Sequence, residues 1–194
     1  MILGITGGTG TGKTSVCQFF KKHGFIVIDS DIVAREVCRR GTECLGEIAD
    51  TFGSDILDSE GNLKRRELGR IVFSDEKKLK ILNSITHKYI ARSIKKTIEE
   101  NEGKNILIDA PLLIESGLDT VCTKTLCVLA DRDTRLERIM QRDCLSTEDA
   151  KARIASQPDD DFYISHCDLV IYNNGELDSL ETELFDILGG IDGR

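Results

Sequence analysis

The sequence predicts an α/β protein, and three observations carry that prediction. Short apolar runs of strand length, starting at Ile2 and covering residues 25–28, 105–108, 125–130 and 169–172, are separated by stretches with helical periodicity. The run at 25–28 is apolar throughout, as in a parallel strand buried on both faces. Between the first run and an amphipathic stretch lies Gly7-Gly-Thr-Gly-Thr-Gly-Lys-Thr14, which fits G-x-x-x-x-G-K-[ST].

That segment predicts a strand, a phosphate-cradling turn and a helix start. Gly7, Gly8, Gly10 and Gly12 can take positive φ without a Cβ clash, so successive N–H groups of residues 8–15 can turn towards an anion at the helix N-terminus. Gly8, Thr9, Gly10, Thr11, Gly12, Lys13, Thr14 and Ser15 are therefore the expected nucleoside triphosphate contacts. Lys13 is expected to reach the β and γ phosphates, and the Thr14 hydroxyl to bind Mg²⁺, which takes hard oxygen ligands. Val16, Phe19 and Phe20 follow at helical spacing. A dinucleotide-binding G-x-G-x-x-G starting at Gly8 fails, because Lys13 stands where a small residue is required.

The run at 25–28 leads into Asp29-Ser30-Asp31. Ligands of open α/β sheets sit beyond the carboxyl ends of strands, and acids at i and i+2 in extended chain project to one side. The pair is therefore expected to face the cradle. Asp29 or Ser30 also suits the N-cap of a helix from about 32 to 40, so one of these residues is expected to cap and another to be functional. From 41 to 103 the chain reads as helices without a strand, with Leu45, Ile48, Ala49 and Phe52, then Leu82, Ile85, Tyr89 and Ile98, at helical spacing. Lys64-Arg65-Arg66 is either a solvated helix face or a phosphate-holding cluster, and His87 by its spacing alone reads as a packed residue.

Asp109 ends the run at 105–108, in the place of a carboxylate that orients a Mg²⁺-bound water or caps the next segment, and Pro111 stops the strand. After 125–130, Arg135, Arg138 and Arg142 lie at i, i+3 and i+7 on a helix. They form either a solvated face or the entrance to a polar helical lid, which would carry cations for a developing phosphoryl charge. Asn173-Asn174-Gly175 follows the last strand and either caps a final helix from Glu176 to Leu188 or joins the purine pocket.

With 194 residues and 40% hydrophobic content, one domain with a small inserted subdomain is expected. A net charge of −8 gives no general field for nucleic acid or an anionic membrane, which favours a small-molecule substrate. The seven cysteines include no C-x-x-C pair, so neither a disulfide framework nor a zinc site is indicated, and reduced thiols in the cytoplasm are expected. No apolar run approaches the ~18 residues of a membrane span.

Several segments together resemble one family over nearly the whole chain. They are Thr6-Gly-Gly-Thr-Gly-Thr-Gly-Lys-Thr-Ser15, Ile28-Asp-Ser-Asp-Ile-Val-Ala-Arg35, Leu63-Lys-Arg-Arg-Glu-Leu68 with Val72-Phe73, Pro111-Leu-Leu-Ile-Glu115, Gln141-Arg-Asp143, Arg153-Ile-Ala-Ser-Gln157 and Asn173-Asn-Gly175. In this order they are similar to the dephospho-coenzyme A kinases. The resemblance implies a P-loop kinase fold: a five-stranded parallel sheet flanked by helices, with a helical substrate-binding insertion and a lid. It places the core at about 1–40 and 104–194, the insertion at about 41–103 and the lid at about 143–165. It also implies phosphorylation of the dephospho-coenzyme A ribose 3′-hydroxyl by ATP, with Asp31 as base, Lys13 and the lid cation Arg142 as charge neutralisers, and ATP and Mg²⁺ in the cradle. Substrate contacts are implied at Asp31, Arg35, Arg65, His87, Pro111, Leu112 and Glu115, and Asn174 is expected beside the purine.

The resemblance departs at two places. Lys88 follows His87 where the family usually has proline, and Asp159-Asp-Asp-Phe-Tyr163 stands where the family usually carries lysine or arginine. Two rival readings remain. A shikimate- or gluconate-type kinase would have glycines after the third strand, where this chain has Asp109-Ala-Pro-Leu-Leu, and a non-catalytic nucleotide sensor would bind ATP without turnover.

Overall fold

The computed structural model describes residues 1–175 and 177–192. In chain order the elements are β1 (Ile2–Thr6), α1 (Lys13–Lys22), β2 (Ile26–Asp29), α2 (Ser30–Val37), α3 (Glu43–Phe52), α4 (Arg65–Phe73) and α5 (Glu76–Glu100). After them come β3 (Ile106–Asp109), β4 (Lys124–Leu129), α6 (Arg132–Asp143), α7 (Thr147–Ala155), α8 (Asp160–His166), β5 (Leu169–Tyr172) and α9 (Leu177–Asp192). The expected start of the last helix, Glu176, lies outside the described residues.

Contacts divide the chain into two compact units, Met1–Ile28 with Gly103–Arg194, and Asp29–Glu102. The five-stranded parallel sheet runs in the order β2-β3-β1-β4-β5, with β1 central. Leu3 and Ile5 of β1 are fully buried, as a strand covered on both faces requires. A Cβ on Gly4 would lie 2.6 Å from Cys122 Sγ and 2.8 Å from Leu113, so the missing side chain lets neighbouring segments close on the central strand. Val16, Phe19 and Phe20 of α1 pack with Leu3, Leu126 and Val128 of the sheet and with Leu180 and Leu184 of α9. This is the i, i+3, i+4 stripe read from the sequence, and burial of each such side chain contributes about 1.5–3 kcal/mol. The connections leave β1 and β4 in opposite directions, so the carboxyl ends of these neighbours form the crevice where such sheets bind ligands.

The second unit is helical. Its core gathers Cys38, Cys44, Ile48, Ile56, Leu68, Val72 and Ile85, and three of its four α-helices begin on side-chain caps: Asp29 for α2, Thr42 for α3 and Asp75 for α5. Asp29 Oδ1 accepts from Asp31 N at 2.8 Å and Ile32 N at 3.0 Å, so of the two candidate caps the acid does the capping and α2 starts two residues earlier than expected. The helical unit also starts earlier than residue 41, because α2 packs on α5 and α3. At the Lys88 departure, α5 runs without interruption through 25 residues, and Lys88 Nζ and Tyr89 OH both bond Glu47 Oε2, at 2.6 and 2.7 Å. These two donors hold the Glu47 carboxyl below its ordinary range.

One clamp joins the starts of β4 and β5. Asp168 Oδ2 accepts from Thr125 N at 2.7 Å and Thr125 Oγ1 at 2.8 Å, while Asp168 N donates to Thr125 Oγ1 at 3.0 Å. The Thr125 amide, and then its hydroxyl, hold the Asp168 carboxyl below its ordinary value. Because the folded value is depressed, the stabilisation is present above the unfolded value and is lost as pH falls through the folded one. Asp168→Ala is expected to lower unfolding free energy by about 1 kcal/mol at neutral pH, solvent screening included. In urea titrations the gap to wild type should close below about pH 4. A gap of equal size at pH 3 would mean that the charge plays no part.

Candidate active site

The loop between β1 and α1 is the centre of the site. Gly7, Gly10 and Gly12 have φ of 138°, 80° and 89°, a region that L side chains rarely adopt. Gly8 does not share it, and its lack of a side chain serves close approach instead: a Cβ there would collide with the Arg135 guanidinium. Gly12 is the N-cap of α1 and supplies no side-chain cap, so no capping side chain competes with an anion for the first amides of the helix. Thr11 is fully buried and donates from Oγ1 to Gly8 O at 2.9 Å, which braces the loop from inside.

Lys13 folds over this loop. Its Nζ donates to Gly7 O and, at 3.2 Å, to Gly8 O, which leaves one of its three N–H donors for a ligand. Burial lowers its pKa, and the Asp109 carboxylate is the strongest influence in the opposite direction. Asp109 ends β3, so the structure brings this acid into electrostatic range of the loop lysine. Thr14 is exposed on the first turn of α1 and, with Gly10, Gly12, Arg138, Gln141 and Arg142, lines an open cavity of about 390 Å³.

The arginine stripe of α6 divides by depth. Arg135 is 5% exposed, donates from Nε to Thr9 O at 3.0 Å and from Nη2 to Gln157 Oε1 at 3.3 Å, and pairs with Asp160 at 3.7 Å. Arg138 Nη1 donates to Asn173 O at 2.9 Å and, more weakly, to Gly10 O and Thr11 O. Arg142 is held by Asp143 at 2.8 Å and reaches Thr9 Oγ1 at 3.4 Å, while Asp143 also takes Arg153 at 2.6 Å. These contacts make the Arg142 cation harder to deprotonate and hold the Asp143 carboxyl low.

The two asparagines after β5 take different positions. Asn173 is buried and donates from Nδ2 to Thr11 O at 2.8 Å, whereas Asn174 Oδ1 accepts from Asp131 N at 2.6 Å and so fixes the start of α6. The acidic run after Pro158 has its partners too, because Asp159 caps α8 through Phe162 N at 2.9 Å and Asp160 pairs with Arg135. Sequence reading placed Asn173 beside the cradle as one of two alternatives, named no loop contact for Gln157, and left Arg135 as one member of a stripe.

The remaining predicted residues sit in their own surroundings. Pro111 starts the turn after β3 and its carbonyl accepts from Thr6 Oγ1 at 3.2 Å; Leu112 is 54% exposed, and the Glu115 carboxylate helps raise the Tyr163 phenol to about 12, after burial as the main cause. In the helical unit Asp31 and Arg35 are exposed one turn apart on α2, and Arg65 is exposed at the start of α4. His87 is half-buried on α5, and burial lowers its pKa. Arg35 and Arg65 join no ion pair among the described residues.

Comparisons with known proteins bear on the whole chain. A family model described as dephospho-CoA kinase matches residues 1–179. The dephospho-CoA kinase of Fusobacterium nucleatum is 39% identical over 180 residues, which cover 93% of each chain. Among solved structures, a Thermus thermophilus protein is similar with a TM-score of 0.81 and 32% identity, over 98% of this chain and 97% of that one. The dephospho-CoA kinase from Campylobacter jejuni has a TM-score of 0.73 and 29% identity, over 99% and 97%.

Proposed function

This chain belongs to the dephospho-CoA kinase family, and we propose that it transfers the γ-phosphoryl group of ATP to the ribose 3′-hydroxyl of dephospho-CoA, giving CoA and ADP, the last step of CoA biosynthesis. The observation that carries the reading from the structure is the cradle: an uncapped helix start, Lys13 over the loop, and Arg138 and Arg142 on the wall of one cavity. Such a set suits phosphoryl transfer, where positioning and charge neutralisation provide most of the catalysis.

The loop amides and Lys13 hold the β and γ phosphates, and Arg142 meets charge that develops on the transferring group. Asp31 orients the 3′-hydroxyl and takes its proton late in the in-line transfer. Arg35, Arg65, His87 and the turn from Pro111 to Glu115 hold the acceptor, and Asn174 stands near the purine. The donor set fits Mg²⁺. Thr14 offers a hydroxyl and Asp109 a carboxylate, and among the described residues no three His, Cys, Asp or Glu side chains gather into a protein-only metal cage. Thr14 would hold the ion directly and Asp109 through a water, and the bound ion would neutralise phosphate charge. The reading places the enzyme in the cytoplasm, supported by seven cysteines none of which is in a disulfide.

An ADP-release assay with a panel of acceptors tests the reading. Dephospho-CoA is expected to give ADP and CoA, and shikimate, gluconate and nucleoside monophosphates no more ADP than the acceptor-free control. Mass spectrometry of the product decides the site: phosphate anywhere but the ribose 3′-oxygen overturns the assignment.

A further inference from the structure

Thr9 lies between Gly8 and Gly10 in the chain's phosphate loop, and both of its backbone polar groups, one in each of the two peptide planes that flank its Cα, are taken by side chains from outside the loop. Its N–H donates to Gln157 Oε1 at 2.7 Å, and its C=O accepts from Arg135 Nε at 3.0 Å. Arg135 Nη2 donates to the same Gln157 oxygen at 3.3 Å and closes the ring of contacts. The two side chains are themselves held. Arg135 is 5% exposed and paired with Asp160, and there is no room for a side chain on Gly8 because the guanidinium fills that space. Gln157 stands at the elbow between α7 and α8, with its own N–H on Ile154 O at 3.2 Å and Pro158 next in the chain.

We propose that Arg135 and Gln157 are positioning residues of the kinase, which fix the two peptide planes on either side of Thr9 so that the amide of the second, Gly10 N–H, is aimed into the phosphate cavity. A trans peptide carries its C=O and the following N–H on opposite edges of one rigid plane. Arg135 holds the Thr9 carbonyl, so the Gly10 N–H is turned to the side away from the guanidinium, and Gly10 lines the cavity. Gln157 anchors the preceding plane through the Thr9 N–H and also accepts from Arg135, so the placing of the α7–α8 elbow and the aim of the loop amide are coupled. Arg135 and Gln157 touch no reacting atom; they act through the loop backbone.

The proposal rests on the kinase reading for its kinetic test but not for its binding test. Gln157→Leu keeps bulk and removes the shared acceptor, while Gln157→Glu keeps an oxygen for both donors. Gln157→Leu is expected to weaken MgATP binding, read by titration calorimetry, about tenfold, because the part-buried Thr9 N–H loses its partner. KM for ATP should rise in parallel, while KM for dephospho-CoA and the thermal midpoint stay near wild type. Gln157→Glu should recover to within about threefold of wild type. Arg135→Lys, which keeps the charge for Asp160 but loses the fork that holds Thr9 O, should also raise the MgATP dissociation constant and serves if Gln157→Leu does not fold. MgATP affinity unchanged in Gln157→Leu or Arg135→Lys overturns the proposal. So does a Gln157→Glu enzyme as impaired as Gln157→Leu, or an equal rise in both KM values with a lowered midpoint. If the wild type binds MgATP but does not phosphorylate dephospho-CoA, the kinase reading fails and calorimetry alone decides on the two side chains.

Discussion

Lys13→Ala is expected to lower kcat by about 10²–10³-fold and to weaken MgATP binding as well, by the equivalent of about 1.5–3 kcal/mol for a lost charge-assisted contact. The larger loss falls on kcat because charge on the transferring group grows towards the transition state, where a fixed cation acts most strongly. The fold should persist. Gly7 O and Gly8 O both lose their bond from the ammonium, and Gly8 O keeps its bond from Thr11 Oγ1 at 2.9 Å. Lys13→Met, which keeps most of the buried stem, should match Lys13→Ala in kcat and lie closer to wild type in thermal midpoint. Turnover by Lys13→Ala at the wild-type rate, measured as ADP released with saturating acceptor, would remove Lys13 from the mechanism.

What could be read in advance depended on how local the cause was. The loop from Gly7 to Thr14 is a contiguous pattern whose glycine geometry follows from the residues themselves, and three of its four expected positive φ values are present. The Val16, Phe19 and Phe20 stripe and the Asp29 cap are equally local. The contacts that shape the cradle from behind are not. Arg135 to Thr9, Gln157 to Thr9 and Asn173 to Thr11 join residues 126, 148 and 162 positions apart, and no spacing rule reaches that far. The Asn173-Asn174 pair shows the limit sharply. At the end of β5 adjacent side chains diverge, so one asparagine is buried on the loop and its neighbour turns to the start of α6. Which one does which depends on strand register, a tertiary quantity. The same holds for α2: its amphipathic pattern foretold a helix, while its packing on α5 and α3 assigned it to the helical unit.

The Asp31→Asn enzyme is expected to fold and to bind MgATP as the wild type does, with kcat reduced by about 10²-fold or more. Folding should be retained because the α2 cap uses the Asp31 backbone N–H and the Asp29 carboxylate, neither of which the substitution touches. ATP affinity should be retained because, in the proposed mechanism, the charge removed belongs to the acceptor half of the reaction. The expected loss sits at the lower end of the range for a general base, since the transition state is loose and the hydroxyl gives up its proton late. Asp29 is the other acid at the end of β2, and its Oδ1 is already committed to two amides of α2. Asp29→Asn is the paired control, because asparagine caps a helix about as well as aspartate while lacking basicity. If Asp31→Asn turns over dephospho-CoA at an undiminished kcat and Asp29→Asn does not, the base is Asp29. If Asp31→Asn alone loses kcat, at unchanged calorimetric affinity for MgATP, the proton goes to Asp31.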